Sequence, residues 1–460
     1  MRSVALIDCE RQPDTVTSHY YSAAMTEPLG LLYLESFLAG HGVPVQVLRY
    51  PLSSDNVAIM KGADVIGISG LTYAWPTMLE AARLVRCENR NAIIVAGREH
   101  ASCSPESVLD KEEFNLVITG EGEMGLLALA EGKPWSQVPG AVYRSQRDST
   151  LRYVPRTDRL GADAVQPLKR RPEWMVNMFP ETMPRYEHQA GVVMGRGCIF
   201  KCTFCTAPRM WNGYASQGVE NAVSEIVRTH TQHGVNYFAM HDLMLNANRQ
   251  ETEMFCRRII ELDLDLSFFG FLSATSVPIE MKLMHRAGFH ECGIGIEIPG
   301  PQRMDIGKRF SFETVRKFFE MASEAGVFTK AYTIIGWPWD TDEDELVERY
   351  VQALRTVPVN NLRITFVTPF PGTETFSQWR HHIPFELTDE AYARFTTMEP
   401  ILDFGLSPES LLRARNRILR GYMSSPEYDR LLRKQSHLKV IDEMNAAMRQ
   451  WAVLNDVVAV

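Results

Sequence analysis

The stretch Met194-Gly-Arg-Gly-Cys198-Ile-Phe-Lys-Cys202-Thr-Phe-Cys205 decides how the rest of the chain is interpreted. It spaces three cysteines as Cys-x3-Cys-x2-Cys, directly after a short apolar run that predicts a strand. Thiolates are soft ligands that suit iron–sulfur clusters and zinc. Three thiolates on a four-iron cluster leave one iron open, which a catalytic site needs and a structural site avoids. Gly195 and Gly197 allow the backbone to approach such a cluster closely.

A zinc site and a chance cluster of buried thiols are the alternatives for these cysteines. A zinc site would need a fourth Cys or His at short range, and the nearest downstream histidines, His230 and His233, fall within a predicted helix. The spacing and the strand-then-loop position favour a [4Fe-4S] cluster held by Cys198, Cys202 and Cys205. The remaining cysteines are scattered singly: Cys9, Cys87, Cys103, Cys256 and Cys292.

Composition limits the class of protein. The 460 residues are 45% hydrophobic and 23% charged, as expected for a globular chain of two or three domains. The formal net charge is −8 and no basic run stands out, which disfavours a nucleic-acid partner. No apolar run approaches the ~18 residues that span a membrane. Residues 1–9 predict a strand rather than a secretory signal, so we expect a cytoplasmic protein, and crowded thiols suit a reducing compartment.

The first part of the chain predicts a doubly wound parallel sheet. Short apolar strands alternate with helices there, and such sheets bind ligands at the carboxyl ends of their strands. We assign residues 1–141 to this Rossmann-like domain. The predicted strands are 4–7, 45–48, 65–68, 93–96 and 116–118, and the predicted helices include 29–39 and 78–85.

A second alternation of strands and helices follows. Residues 142–190 are rich in proline and arginine and predict a linker. Residues 191–386 predict a partial (β/α)6 barrel, whose chemistry would lie at the carboxyl ends of the strands. Residues 387–460 predict a helical C-terminal region. The barrel strands are expected at 191–194, 237–241, 267–272, 292–298, 329–335 and 362–367, and the helices at 219–233, 249–262, 278–287, 312–326 and 343–355.

The cysteine motif resembles that of the radical S-adenosylmethionine superfamily. Further landmarks extend the likeness over most of the chain and point to the branch that carries an N-terminal B12-binding-type domain. They occur in the order and spacing of that branch. These landmarks are Leu29-Gly-Leu-Leu-Tyr-Leu34, Gly120-Glu-Gly-Glu123, Gly293-Ile-Gly-Ile-Glu297 and Thr368-Pro-Phe-Pro-Gly-Thr373.

The resemblance implies an activity and its cofactors. S-adenosylmethionine would chelate the open iron of the [4Fe-4S] cluster. An electron from an external donor of the flavodoxin or ferredoxin type would then cleave it to a 5′-deoxyadenosyl radical, which abstracts hydrogen from a small-molecule substrate. Phe204 resembles the aromatic residue that family members pack near the adenine, although a plain core Phe fits the pattern nearly as well. Glu297 resembles a family residue near S-adenosylmethionine, with a buried structural acid as its alternative.

Polar residues at the ends of further strands complete the candidate site. His241 and Asp242 follow the second barrel strand, where many relatives carry two adjacent acids, and are candidates for acid–base catalysis together with Glu297. A hydrogen-bonded structural role is the alternative. Ser273 and Thr275 follow the third strand and are candidates for binding the methionyl carboxylate, or else they cap a helix.

The sequence leaves the role of the first domain open. Cobalamin-binding relatives usually carry Gly-Gly where this chain has Gly97-Arg98, and the Asp-x-His-x-x-Gly motif that supplies a lower ligand is not visible. Cobalamin is therefore possible but not favoured. Arg98 and Glu99 could instead form a salt-bridged surface turn.

Three functions remain as hypotheses. The favoured one is a cobalamin-free radical lyase or dehydratase, similar in size and plan to the radical diol-dehydratases of aminoglycoside (apramycin) antibiotic biosynthesis, which deoxygenate an aminosugar. The second is a cobalamin-dependent radical methyltransferase. The third, a non-catalytic Fe–S electron-transfer protein, is disfavoured by the three-cysteine count, because such clusters are usually fully ligated.

Overall fold

The computed structural model describes residues 1–10, 27–156, 167–168, 176–177, 188–274, 279–439 and 441–446. Within these residues the chain forms two seven-stranded sheets and a two-stranded hairpin. The first sheet precedes the second in the chain, and helices separate most of their parallel strands. The fold is α/β, with an N-terminal Rossmann-like parallel sheet, as the sequence predicted.

The first sheet consists of β1 (Val4–Asp8), β2 (Val45–Arg49), β3 (Val65–Ser69), β4 (Ile93–Gly97), β5 (Leu116–Ile118), β6 (Ala141–Arg144) and β7 (Leu151–Tyr153). Their order is β2-β1-β3-β4-β5-β6-β7. Strands β1 to β5 run parallel, whereas β6 and β7 are antiparallel. β1 and β3 are buried along their whole length, as expected for strands covered on both faces. The helices of this part are α1 (Leu29–Gly40), α2 (Ser54–Gly62), α3 (Trp75–Glu88), α4 (Arg98–Cys103), α5 (Pro105–Leu109) and α6 (Glu123–Ala130).

The second part of the chain contains the hairpin and the second sheet. Its strands are β8 (Val176–Asn177), β9 (His188–Val192), β10 (Gly195–Gly197), β11 (Tyr214–Ser216), β12 (Tyr237–Met240), β13 (Ser267–Leu272), β14 (Glu291–Glu297), β15 (Phe328–Ile335) and β16 (Asn361–Phe366). The sheet order is β16-β15-β14-β13-β12-β9-β8, and β10 pairs with β11. Strands β9 and β12 to β16 are parallel and form the open sheet of the partial barrel.

Helices connect the barrel strands and continue beyond them. They are α7 (Ala207–Met210), α8 (Val219–His233), α9 (Arg249–Glu261), α10 (Met281–Arg286), α11 (Phe312–Glu324), α12 (Glu343–Arg355), α13 (Glu374–Trp379), α14 (Pro408–Met423) and α15 (Pro426–Gln435). Side chains cap several of them, as the sequence pattern allows: Ser311 accepts a hydrogen bond from the N–H of Thr314, and Asp342 accepts one from the N–H of Glu345. Among the described residues, no helix is long and apolar enough to cross a membrane.

Three expectations about element boundaries need correction. The first sheet extends to Tyr153, although residues from 142 onward were expected to form a linker. The strand expected at 191–194 is β9, which ends at Val192, and the hairpin β10–β11 follows it. Residues 387–407 lack α-helix, and the helical region begins at Pro408. Contacts with residues distant in the chain contribute to these conformations, and the hydrophobic periodicity of a local segment does not reveal such contacts.

The segment that precedes α14 packs on the first domain. The Asp389 carboxylate accepts hydrogen bonds from Nε1 of Trp75 at 2.9 Å and from Nζ of Lys111 at 2.6 Å. The ring of Tyr392 lies edge-on to that of His100, with 5.1 Å between their centroids. The two parts of the chain are therefore joined on this side by polar and aromatic contacts.

Candidate cysteine loop and interdomain cavity

The three cysteines of the motif lie in one loop between β10 and α7. Cys198, Cys202 and Cys205 are all partly buried and carry free thiols. Gly197, which precedes the first of them, has a φ of +85°, a conformation that favours glycine. In the described part of the chain no three His, Cys, Asp or Glu side chains could hold a single metal ion. Thiols that each bind a separate iron of a cluster need not meet at one point.

The loop suits an iron–sulfur cluster in its chemistry. Burial raises the pKa of Cys202, and it raises the pKa of Cys205 to about 12. The neighbouring thiols add to both shifts, while the Lys308 ammonium lowers each pKa. Protonated thiols must lose their protons to bind iron, so cluster assembly would release protons. The residues present therefore fit the cluster that the spacing predicts.

Asp242 holds the strand that leads into the loop. Its carboxylate accepts hydrogen bonds from the backbone N–H of Met194 at 3.0 Å and from that of Gly195 at 2.6 Å. The side chain is buried, and burial raises its pKa to about 7, although these two hydrogen bonds partly offset the rise. Asp242 thus contacts the backbone that leads into the cysteine loop, and the acid–base role suggested by the sequence stays a prediction.

The loop after β14 covers the other side of the cysteine loop. The N–H of Thr203 donates to the carbonyl of Ile306 at 3.2 Å. Gly307 has a φ of +80°, and a Cβ there would lie 2.9 Å from the carbonyl oxygen of Lys201. The two loops thus touch through their backbones, and only glycine fits at this contact.

A charged pair lies beside Cys202. Nζ of Lys308 is 2.8 Å from Oε1 of Glu297, and both side chains are largely buried. Burial lowers the pKa of Lys308, but the Glu297 carboxylate and Cys202 outweigh it and the pKa is raised. Glu297 has a φ of +56°, which strains a non-glycine residue and often marks a functional position. Sequence reasoning found Glu297 but missed Lys308, because no motif signalled it.

Lys308 also lines a small void beside its pair with Glu297. The void has a volume of only about 10 Å³, and its lining includes Ser273, Lys308 and Arg309. The predicted role of Ser273 in binding the methionyl carboxylate stays a prediction. Thr275 falls outside the described residues.

Phe204 lies among aromatic side chains at the carboxyl end of β15. Its ring is edge-on to that of Trp337, with 6.0 Å between centroids, and Trp337 stacks on Trp339 at 5.4 Å. Trp337 is fully buried and its Nε1 donates to the carbonyl of Ile334 at 2.9 Å. Phe204 thus packs in an aromatic cluster that touches the cysteine loop.

A large cavity separates the first sheet from the cysteine loop. It has a volume of about 320 Å³ and is partly open to solvent. The first domain lines it with the carboxyl ends of its strands, including Ser69, Gly97 and Gly120, and the second domain with Gly197 and His241. This is the edge at which doubly wound sheets bind ligands. His241, predicted as an acid–base group, faces this cavity.

Four charged residues form one wall of the cavity. Nη1 of Arg98 is 2.8 Å from Oε1 of Glu10, and Nε of Arg49 is 3.5 Å from Oδ2 of Asp8. Arg98 has a φ of +73°, a conformation in which glycine is common. Its pairing with Glu10 differs from the surface turn with Glu99 that the sequence suggested.

Glu99 joins the two domains near the cysteines. Its carboxylate accepts hydrogen bonds from the hydroxyls of Thr72 at 2.9 Å and of Thr206 at 3.3 Å. Thr206 directly follows Cys205 in the chain. Burial raises the pKa of Glu99, while these hydrogen bonds and Arg98 lower it, and the pKa is raised overall. Sequence reasoning did not foresee this contact, because its two sides lie about a hundred residues apart.

Arg196 makes a second contact between the domains. Its Nη1 lies 2.6 Å from Oε1 of Glu123 and 3.3 Å from Oε1 of Glu121. Its guanidinium also lies over the ring of Tyr33, 5.4 Å from the centroid. The Gly120–Glu123 landmark and the start of the cysteine motif are therefore in direct contact.

The structure thus places the predicted site residues in several surroundings. Ser273 lines the small void and Glu297 pairs with Lys308 beside it, while His241 faces the interdomain cavity. Asp242 lies beneath the loop, and Phe204 on its aromatic side.

Comparisons with known families match both parts of the chain. The model of the radical SAM superfamily matches residues 192–351, and that of the B12 binding domain matches residues 22–130. The resemblance drawn from the cysteine motif and its landmarks is thereby confirmed at the level of the two domains. The specific likeness to radical diol-dehydratases finds no support in these matches.

Relatives and solved structures extend over most of the chain. An uncharacterized methyltransferase from Pyrococcus horikoshii is 26% identical over 396 residues, which cover 82% of this chain and 83% of the relative. An anaerobic magnesium-protoporphyrin IX monomethyl ester cyclase from Cereibacter sphaeroides is 25% identical over 378 residues, covering 79% and 59% respectively. The structure of the radical S-adenosylmethionine methyltransferase TsrM from Kitasatospora setae, with cobalamin and a [4Fe-4S] cluster bound, matches with a TM-score of 0.66 at 17% identity, over 81% of this chain and 77% of that one. The last likeness bears on the fold alone and agrees with it.

Proposed function

From the premise that this chain is a radical SAM enzyme with an N-terminal B12-binding domain, we propose that it is a cobalamin-dependent radical SAM methyltransferase acting on a small molecule. The observation that carries the proposal is the cavity between the ligand-binding edge of the first sheet and the cysteine loop. A large cofactor in this cavity would lie next to the site at which the cluster would be held.

The cavity fits cobalamin in position and in chemistry. Apolar side chains such as Leu29, Ile118 and Leu126 line it together with backbone and charged groups of both domains. A corrin ring with amide side chains needs such a mixed wall. Arg98 narrows one end, but its guanidinium is drawn toward Glu10 at the wall. The expectation that cobalamin is not favoured rested on Arg98 and on the missing lower-ligand motif, and the match to the B12 binding domain weighs against it.

The proposed cofactors divide the chemistry between them. S-adenosylmethionine at the cluster would supply a methyl group and a carbon radical, and cobalamin would supply methyl-transfer chemistry at its cobalt. The chain's own residues hold and orient these groups. Cys198, Cys202 and Cys205 would bind the cluster, and Ser273 and Lys308, which lie near the cysteine loop, would bind polar atoms of S-adenosylmethionine.

His241 and Glu297 remain candidates for moving protons. His241 lies in the cavity wall, where it would face cofactor or substrate, and Gly191 leaves room for its ring. Glu297 is held by its ion pair with Lys308, which lines the smaller void. An external one-electron donor of the flavodoxin or ferredoxin type would reduce the cluster. The relative named as a methyltransferase supports methyl transfer better than the lyase chemistry that the sequence favoured.

The test is the cofactor content of protein purified anaerobically from cells supplied with cobalamin. We expect near-stoichiometric cobalamin by its visible absorption, together with iron and sulfide. Cys202→Ala should lose iron and S-adenosylmethionine cleavage while retaining cobalamin. Cys87→Ala, at an exposed thiol of α3, should retain both. Protein that carries iron and cleaves S-adenosylmethionine but excludes cobalamin would overturn the proposal and restore the cobalamin-free alternative.

A further inference from the structure

Arg196 belongs at once to the cysteine loop and to the wall of the interdomain cavity. It lies two residues before Cys198, in β10, where it pairs with Ala215 of β11. Its side chain leaves the hairpin and reaches the first domain, where it meets Glu121 and Glu123. All three of these charged residues line the cavity. A ligand in the cavity would therefore touch the contact that anchors the start of the loop.

The side chains of this contact are little exposed. The guanidinium of Arg196 bridges two carboxylates, and the exposed fractions of the side chains are 12% for Arg196, 12% for Glu121 and 6% for Glu123. Two carboxylates so close together repel each other when the cation is absent. Removing one partner of a buried ion pair leaves an uncompensated buried charge. The resulting loss of stability is therefore larger than the stability that the intact pair contributes.

The strength of the contact depends on how much water reaches it. The cavity is partly open, so water screens the ion pair from that side. A large ligand that fills the cavity displaces this water and lowers the local dielectric constant, which strengthens the attraction of Arg196 for Glu121 and Glu123. The strengthened contact in turn fixes the backbone of β10, from which Cys198 extends.

We propose that Arg196 is a positioning residue that couples occupancy of the interdomain cavity to the geometry of the cysteine loop, so that the cluster binds S-adenosylmethionine tightly only when cobalamin is in place. This inference rests on the proposed function and adds a regulation to it. The coupling would limit cleavage of S-adenosylmethionine in protein that lacks cobalamin. Because the four binding states form a closed thermodynamic cycle, the coupling is reciprocal, and S-adenosylmethionine must tighten cobalamin binding by the same factor.

The experiment measures binding rather than turnover. The dissociation constant of S-adenosylmethionine is measured by equilibrium dialysis on cluster-loaded protein, with and without saturating hydroxocobalamin, and the electron paramagnetic resonance spectrum of the reduced cluster is recorded in each state. We expect cobalamin to tighten binding about fivefold or more in the native protein. In Arg196→Ala the two constants should become equal, and the spectrum should no longer respond to cobalamin. Arg196→Lys should restore part of the effect, because it keeps the charge.

Two further variants separate coupling from folding. Glu121→Gln removes the charge from the longer of the two contacts and leaves Glu123 to hold Arg196, so the variant should fold. In this variant cobalamin should tighten the binding of S-adenosylmethionine by a smaller factor than in the native protein. Arg258→Ala, at an exposed arginine of α9 that pairs with Glu220 outside the cavity, is the matched control and should behave as the native protein does. If cobalamin tightens the binding of S-adenosylmethionine in Arg196→Ala and Glu121→Gln as much as in the native protein, the proposed coupling is wrong, while the proposed function is unaffected. Failure of the native protein to bind cobalamin would overturn the proposed function and the coupling together.

Discussion

Two adjacent residues at the end of β12 have different surroundings. His241 faces the interdomain cavity, whereas the carboxylate of Asp242 turns to the backbone of Met194 and Gly195. The sequence placed both at a strand end and predicted one shared role. It could not separate them, because β12 ends at Met240 and the alternation of a strand no longer fixes the direction of the side chains that follow.

The two positions should respond differently to truncation. Asp242→Ala leaves two buried N–H groups without their acceptor, so we expect it to lower the free energy of unfolding by about 2–5 kcal/mol and to reduce the iron content. His241→Ala should leave stability and iron unchanged while product formation falls by roughly a hundredfold, the usual range for an acid–base group. Urea unfolding, iron analysis and product assays measure these effects. Equal losses of stability in the two variants would contradict the assignment.

His100 should make stability depend on pH. The ring is fully buried against Trp75, and burial lowers its pKa from 6.5 to about 4. Below pH 6.5 the unfolded chain binds a proton that the folded chain does not, so stability falls on acidification, by about 2 kcal/mol between pH 6.5 and 5. His100→Phe should remove the contribution of His100 to the pH dependence of the free energy of unfolding and leave the contributions of other groups. Urea unfolding at several pH values measures this dependence. If the free energies of the two proteins change with pH in parallel, His100 does not titrate as its burial implies.

At the scale of elements, the sequence predicted the parts that periodicity controls. β1, β3 and β13 coincide with predicted strands within a residue, because each is an apolar run bounded by polar or turn residues. The hairpin β10–β11 was missed, since its two strands are short and one of them overlaps the cysteine motif. The loop that carries Gly307 and Lys308 was missed as a site element too, because its contact with the cysteine loop joins residues about a hundred positions apart.

Gly307 should be needed for the shape of the cysteine loop. A Cβ at this position would lie 2.9 Å from the carbonyl oxygen of Lys201, and the φ of +80° adds backbone strain. Gly307→Ala should therefore displace the loop and lower both stability and iron content. Gly234→Ala is the matched control: its φ is +68° at the end of α8, but its Cβ would meet nothing within 4 Å. The control should lose only about 1–2 kcal/mol from the left-handed backbone and keep its iron. Equal iron contents in the two variants would show that the loop contact is not important.

At the scale of the whole molecule, sequence reasoning identified the two domains but not the space between them. The cavity arises because the carboxyl edge of the first sheet faces the loop after β9, a relation that no local pattern encodes. Arg98 illustrates the consequence. This arginine stands where cobalamin-binding relatives carry a glycine, and the sequence alone therefore argued against cobalamin. In the structure its guanidinium pairs with Glu10 at one end of a much larger space.

A ligand in this cavity should stabilise both domains at once. Cobalamin at a hundred times its dissociation constant would add about 2.7 kcal/mol to the free energy of unfolding. Since Gly97 and Gly120 line the cavity from one domain and Gly197 and His241 from the other, hydrogen exchange should slow in both sets of peptides. Peptides of α14, which is remote from the cavity lining, serve as the internal reference. Protection confined to the first domain would mean that the cofactor binds the first sheet without reaching the cysteine loop, and methyl transfer between the two sites would then need a closure of the domains that this structure does not contain.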